Sequence, residues 1–404
     1  MSFRDRNVSK KIGGFLISSS GTSVLAVGYL LVAAISSLNS QIVSVFLLIL
    51  SYMFATSTVI GHVTGPNFLL NKNQQNVHHV VASNIFILSI TSALIFTYNL
   101  FSQLIEAQYI LLAVFVVLSQ IITPFWLSVP DSRCPNKFAY LSIARVLALI
   151  LVVALSSARA FELNSGLWGF CVFAVFSALY CGGAKLILNM FSTYRNMLKG
   201  AVAYMLNVKA LFMTLQMNLF VAYLMPLICL PLIEPDQIHF FYMADRSRYI
   251  ALAIVNSIFI YWQRHLIYHQ NDYEFLEKCR SHVKRFSALV AVAFCSVLVV
   301  LKFGLIISDY QLTVGICIGI AASIGVIGTY LTNVELVVSQ AYSVIFKANA
   351  YSLIIYAVIG FSSVLFLGSL GLAIAAIVLE SSILLQLFHR SSSIGIRVGW
   401  DDAR

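Results

Sequence analysis

FSALVAVAFCSVLVVLKFGLII (Phe286–Ile307) and YQLTVGICIGIAASIGVIGTYLT (Tyr310–Thr332) stand almost end to end, with only Ser308 and Asp309 between them. A helix needs about 20 apolar residues to cross the hydrocarbon core of a bilayer. Each run supplies that length, and the two together carry a single charge, Lys302, near an edge. Both are apolar on every side, whereas strands of a membrane barrel alternate in segments of about ten residues. The pair therefore reads as two transmembrane helices joined by a tight turn. The same window finds ten more runs, at 12–34, 42–61, 80–101, 109–130, 139–159, 165–187, 209–231, 243–263, 350–368 and 370–388.

Composition agrees. Of 404 residues 60% are hydrophobic and 10% charged, against roughly 25% charged in a soluble domain. The segments between the runs are too short to hold a catalytic domain. The reading is an all-α, polytopic integral membrane protein of about twelve transmembrane helices.

Orientation follows from the cations, which accumulate on the cytoplasmic side during insertion. With the N-terminus inside, the inner segments are 1–11, 71–79, 131–138, 188–208, 264–285, 333–349 and 389–404. Counting Lys185 and Lys209 at the membrane edge, they hold every one of the 25 Lys and Arg residues except Arg145, Arg159, Arg246, Arg248 and Lys302. Both termini are thus expected in the cytoplasm. The net charge of +10 is accounted for by these loops and does not imply nucleic acid. The longest inner segments, 188–208 and 264–285, read first as basic loops at anionic headgroups. Residues 189–200 also suit an interfacial helix. The expected division is a six-helix lobe over 1–188, a cytoplasmic linker over 189–208 and a second six-helix lobe over 209–404. The opening MSFRDRNVSKK precedes too long an apolar run, without a small-residue cleavage site, and reads as leading into an uncleaved first span.

The seven cysteines show no metal-ligand spacing, and most lie in apolar runs where a thiol acts as a small hydrophobe. Neither a metal site nor a cofactor is expected. No Walker A motif, HExxH, GxSxG or potassium-filter signature is present. With no large outer loop for catalytic carboxylates, secondary transport is favoured over enzymatic chemistry.

Ionisable groups within the spans are the natural candidates for function, since each costs at least about 2.5–3.5 kcal/mol on insertion scales. Arg145 lies about two turns into span five, where it either snorkels to headgroups or faces a wet cavity and binds an anion such as phosphate through its planar fork. Asp245, Arg246 and Arg248 cluster at the start of span eight. Asp245 and Arg248, three apart on a helix, can pair and leave Arg246 on another face. Otherwise the cluster is a surface anchor. Glu380 is mid-span in the last helix, too short to snorkel, so it pairs with a cation or changes protonation during transport. Glu335 and His62 sit near span ends and need no special role. Among uncharged groups, Gln216 and Asn218 in span seven are candidates for the translocation cavity. Gln120, Asn256 and Asn333 suit helix-to-helix hydrogen bonds. Pro226 and Pro231 in span seven, and Pro124 and Pro130 in span four, free backbone carbonyls.

Three stretches carry a family resemblance. KKIGGFLISSSGTSVLAVGYLL (Lys10–Leu31) is similar to the Ser/Gly-rich first helix of the polysaccharide and O-antigen flippases. These share a superfamily with multidrug/toxin extruders and lipid II flippases. YRNMLKGAVAYMLNVKALFMTLQMNLF (Tyr194–Phe220) resembles that family's lead into span seven. FFYMADRSRYIALAIVNSIFIYWQR (Phe240–Arg264) resembles its Y-x-x-A-D-[KR] entry to span eight, with Tyr242, Ala244, Asp245 and Arg246 in those places. The resemblance implies two six-helix lobes around a central cavity in a bacterial inner membrane. The substrate it implies is an undecaprenyl-diphosphate-linked oligosaccharide, such as an O-antigen or capsule repeat unit. Arg145 and Arg246 would offset the diphosphate, Asp245 and Arg248 would belong to the same translocation cavity, and Glu380 would couple transport. Membrane lipids, a polysaccharide polymerase and a chain-length regulator are the implied partners. Two other readings stay open: a proton- or cation-coupled multidrug antiporter of the same fold, and a membrane-embedded polymerase or glycosyltransferase. The first should show carboxylates deep in the N-terminal lobe, and spans one to six contain none.

Overall fold

The computed structural model describes residues 40–70, 77–103, 105–122, 135–158, 160, 162–180, 209–268, 273–304, 306–337, 339 and 341–393, with Gly28 and Val32 besides. The linker 189–208, Pro124, Pro130 and nearly all of the first expected span lie outside them. Among the described residues every regular element is helical. The chain divides into two compact units, Met1–Phe212 and Met213–Arg404.

In the first unit α1 (Ser40–Leu70), α2 (Val77–Ser102), α3 (Ala107–Ile122), α4 (Pro135–Ser157) and α5 (Leu163–Ala178) follow in order. α1 packs on α2 and α3, and α5 packs on α3 and α4. Buried hydroxyls join α1 to α2 through Thr91 and Thr56 (3.3 Å). The Tyr109 hydroxyl of α3 donates to Asn164 of α5. At the end of α2, Asn99 donates to and accepts from the backbone of Ile105, closing the turn into α3.

The boundary falls within α6 (Lys209–Leu219), which in the second unit widens into a π-turn over Phe220–Leu224, resumes at Met225–Cys229 and tightens into a 3-10 turn at Leu230–Leu232. There follow α7 (Pro235–Tyr268), α8 (Tyr273–Phe303), α9 (Asp309–Tyr330, with a π-turn over Leu331–Leu336), α10 (Tyr342–Leu367) and α11 (Ser369–Ser393). α9 is central, packed against α7, α8 and α11, while α10 packs on α11.

The α8–α9 turn expected from the sequence is built from a reciprocal cap. Ser308 Oγ accepts from the Gln311 N–H at 3.2 Å, and Gln311 Oε1 accepts from the Ser308 N–H at 2.9 Å, satisfying donors that every helix start leaves open. Lys302 and Asp309 pair across the same turn at 2.7 Å. Further down, Gly315 and Gly319 let α9 approach the Leu298 and Phe294 side chains of α8, the small-residue contact by which membrane helices gain dispersion energy. Ser287 and Ser323 exchange hydrogen bonds across that seam.

Helix faces separate as a lipid solvent requires. On α10 the buried residues Val344, Ala348, Ser352, Tyr356, Gly360 and Val364 recur every fourth position. The face carrying Tyr351, Ile354, Val358 and Leu365 is exposed. Five described helical stretches are long and apolar enough to cross a membrane, the longest being Glu274–Phe303. α7 starts at Pro235, eight residues before the expected boundary at 243, so Asp245 lies ten residues inside its helix, about 15 Å from the start at 1.5 Å per residue.

The α10–α11 turn depends on two glycines. Gly368 adopts φ +54, a left-handed conformation open to glycine at little cost. A Cβ on Gly371 would stand 2.4 Å from the Ser363 carbonyl carbon. Gly371→Ala is expected to destabilise the protein by about 1–3 kcal/mol through overpacking against backbone. Gly169→Ala, where a Cβ meets nothing within 4 Å, is expected to leave thermal unfolding in detergent unchanged or slightly raised.

Candidate functional site

The charged residues of α7 meet the last helix in the interior of the second unit. Asp245, Arg246 and Arg248 are 3%, 6% and 2% exposed. Asp245 is the hub: its Oδ2 accepts from Arg246 Nη2 at 2.5 Å, and its Oδ1 accepts from Arg248 Nε and Nη2 at 3.1 and 2.9 Å. Arg248 Nη1 reaches α11 and donates to Glu380 Oε1 at 3.1 Å. Two guanidiniums and two carboxylates thus form a chain of alternating sign, Arg246–Asp245–Arg248–Glu380, in a region where an unpaired charge would be expensive.

Local backbone chemistry makes room for it. In an unbroken α-helix the carbonyl of Ala222 would accept from the N–H four residues on, but that residue is Pro226, which has none. The π-turn at Phe220–Leu224 presents this carbonyl to Arg246, whose Nη2 donates to it at 2.5 Å. Proline-freed carbonyls were expected in this span, and here one is met by an arginine. On the opposite side, Gly325 of α9 leaves space for the Glu380 carboxyl, which would lie 3.3 Å from a Cβ there.

Tyrosines close the cluster. The Arg246 guanidinium carbon stands 4.3 Å from the Tyr223 ring centre and 4.7 Å from that of Tyr249, distances at which a cation is held by the ring face. Those two rings stack at 6.0 Å. Arg248 lies 4.4 Å from the Tyr249 ring and also donates to its hydroxyl at 2.7 Å. Tyr242 borders Arg246 at 5.8 Å. Arg246 Nε and Nη1 are buried and have no hydrogen-bond acceptor among the described residues. Tyr223 and Tyr249 were not singled out in the sequence; the pattern Tyr242-x-x-Asp245-Arg246-x-Arg248-Tyr249 was the available signal for the latter.

The remaining candidates lie elsewhere. Arg145 is 1% exposed in the first unit, where it bonds to protein groups. Nη2 donates to the carbonyls of Ala174 (3.1 Å) and Ser119 (3.4 Å), and Nε and Nη2 donate to Ser177 Oγ at 3.3 and 3.2 Å. It staples α3, α4 and α5 together. Gln216 is partly buried and Asn218 exposed on α6. Neither bonds to the Asp245 cluster among the described residues. Glu335, given no role from its position near a span end, is buried in the α9 π-turn and accepts from Arg280 of α8 at 2.8 and 3.2 Å. Asn333 in the same turn donates to Asn256 of α7 at 2.7 Å, as the helix-to-helix reading expected.

No protein-family model and no curated protein matches the sequence. Solved structures do. The lipid II flippase MurJ in an inward closed conformation superposes with a TM-score of 0.57 at 14% identity, covering 93% of this chain and 87% of its own. A variant of the MATE transporter VcmN of Vibrio cholerae gives 0.53 at 14% identity, covering 95% and 94%. An inward-facing multidrug resistance MATE transporter of the MOP superfamily gives 0.52 at 12%, covering 99% and 97%. The chain shares their fold. The all-α, polytopic membrane architecture expected from the apolar runs is therefore the observed one.

Removing Asp245 leaves Arg246 without a carboxylate and Arg248 with Glu380 alone, whereas removing the Glu380 charge leaves Arg248 with two bonds to Asp245. Asp245→Ala is expected to cost about 3–5 kcal/mol and Glu380→Gln distinctly less. Thermal midpoints of the purified variants in one detergent measure this, and a reversed order would show that Asp245 is not the hub.

Proposed function

We propose that the chain is a flippase moving an undecaprenyl-diphosphate-linked oligosaccharide across a bacterial inner membrane, with both termini cytoplasmic. The observation that carries the reading is Arg246: a buried guanidinium with two nitrogens unspent among the described residues, in a fold shared with a lipid II flippase. The chemistry of the substrate explains why that matters. Its polyprenyl tail can stay in the bilayer, so only the diphosphate and sugars need a protein path. A diphosphate leaving water requires compensating charge and oriented donors, which a guanidinium supplies in a planar fork.

The residues divide the work. Arg246 offers Nε and Nη1 to phosphate oxygens. Arg248, fixed between Asp245 and Glu380, holds the hub carboxylate so that Arg246 keeps its orientation. The ring faces of Tyr223 and Tyr249 keep Arg246 in place without consuming its donors. Gln216 and Asn218 supply amides for sugar hydroxyls. Membrane lipids surround the exposed apolar faces, and a polysaccharide polymerase with its chain-length regulator would consume the delivered repeat unit. The absence of Asp and Glu from spans one to six favours this reading over export of organic cations, which need carboxylates for charge compensation.

The test is translocation in proteoliposomes holding an undecaprenyl-diphosphate-linked fluorescent oligosaccharide, read by a membrane-impermeant quencher. Wild-type protein is expected to render inner-leaflet substrate accessible. Arg246→Ala is expected to slow this by about 10- to 100-fold, the worth of charge-assisted hydrogen bonds. Wild-type rates in Arg246→Ala, or no translocation by the wild type, would overturn the reading. So would transport of an organic cation dye against a pH gradient in the same vesicles without lipid translocation.

A further inference from the structure

We infer that an anion bound at Arg246 is accompanied by a proton taken up at Glu380, so that anion and proton bind together rather than in competition. This rests on Arg246 as the headgroup contact and adds how the site balances its charge.

The four-membered chain is already neutral: Arg246 and Arg248 against Asp245 and Glu380. A ligand anion at the unspent Nε and Nη1 of Arg246 makes it net negative, in surroundings where the arginine and aspartate side chains are at most 7% exposed. Uncompensated charge there is costly, and one proton on a carboxylate offsets one of the negative charges that the ligand brings. The geometry decides which carboxylate. Asp245 accepts three guanidinium N–H bonds, from Arg246 Nη2 and from Arg248 Nε and Nη2. Glu380 accepts one, from Arg248 Nη1. A proton on Glu380 therefore disturbs one guanidinium contact, whereas a proton on Asp245 would disturb the hub of three. Glu380 is also the less enclosed of the two carboxylates, its side chain 14% exposed against 4% for Asp245.

The groups facing Glu380 are consistent with that assignment. α7 presents Arg248, Asp245 and Tyr249. α10 presents Tyr356, within electrostatic reach of Arg248 and Asp245. α9 presents Gly325, which has no side chain to compete for the carboxyl. Protonating Glu380 removes one contact from Arg248 and leaves its two bonds to Asp245 in place, so the hub survives. The balance is simple: one anion enters, one proton enters, and no covalent bond other than the new O–H at Glu380 forms.

The experiment uses the full chain in detergent and sulfate as the probe, because sulfate does not itself titrate near neutrality. Calorimetric titration in buffers of differing ionisation enthalpy counts protons. Wild-type protein is expected to take up close to one proton per sulfate, with affinity rising by up to about tenfold for each pH unit lowered. Glu380→Gln is expected to bind sulfate without uptake and with affinity independent of pH. Arg246→Ala is expected to lose at least tenfold in affinity. Sulfate binding by the wild type without proton uptake, or undiminished uptake in Glu380→Gln, overturns the coupling while leaving Arg246 as the anion contact. Absence of saturable binding, or unchanged affinity in Arg246→Ala, overturns the anion contact itself. Should Glu380→Gln not fold, a wild-type count near zero still overturns the coupling, and a protonated-carboxyl infrared band that appears on sulfate addition and shifts in Glu380→Asp tests the assignment, an unshifted band overturning it.

Discussion

Four charges inside a low-dielectric helical unit have to cancel one another or be expelled from it. The Asp245 carboxylate meets that constraint by accepting from two arginines at once. Arg248 then carries the chain to Glu380 on the last helix. Everything around the cluster serves it: a proline-freed carbonyl on α6, a glycine on α9, and three tyrosines on α6 and α7. Buried ion pairs seldom add much net stability compared with well-packed apolar residues.

The spans were legible because lipid imposes length and hydrophobicity directly on sequence. The tight α8–α9 turn, the depth of Glu380 and the opportunity at Pro226 could all be stated before any coordinates. Helix starts were less legible. α7 begins at Pro235 and α10 at Tyr342, each eight residues ahead of the expected boundary, because a hydropathy window stops where charged or polar residues begin and a helix need not. Partners distant in sequence were not legible at all. Nothing local assigns Glu380 to Arg248, 132 positions away, or Glu335 to Arg280, 55 positions away. Both contacts depend on how the helices of the unit pack.

Arg145 and Arg246 show how one residue type serves two ends. Both are buried guanidiniums that donate to backbone carbonyls. Arg145 bridges three helices and contributes to the assembly of the first unit. Arg246 makes one such bond and one ion pair, and is otherwise held by aromatic faces, which stabilise a cation without occupying its N–H groups. The two burials are reached by different means, carbonyl and hydroxyl acceptors for Arg145 and ring faces for Arg246, and the sequence does not separate them.

The α8–α9 hairpin is fastened at three levels. Its turn holds the serine–glutamine cap, its middle the glycine seam and the serine pair, and its far end the Arg280–Glu335 bridge. Such a hairpin resists bending or sliding along its whole length and acts as a stiff lever. A displacement of one helix of the pair would therefore have to break contacts at all three levels, which ties α8 and α9 together as one piece of the second unit.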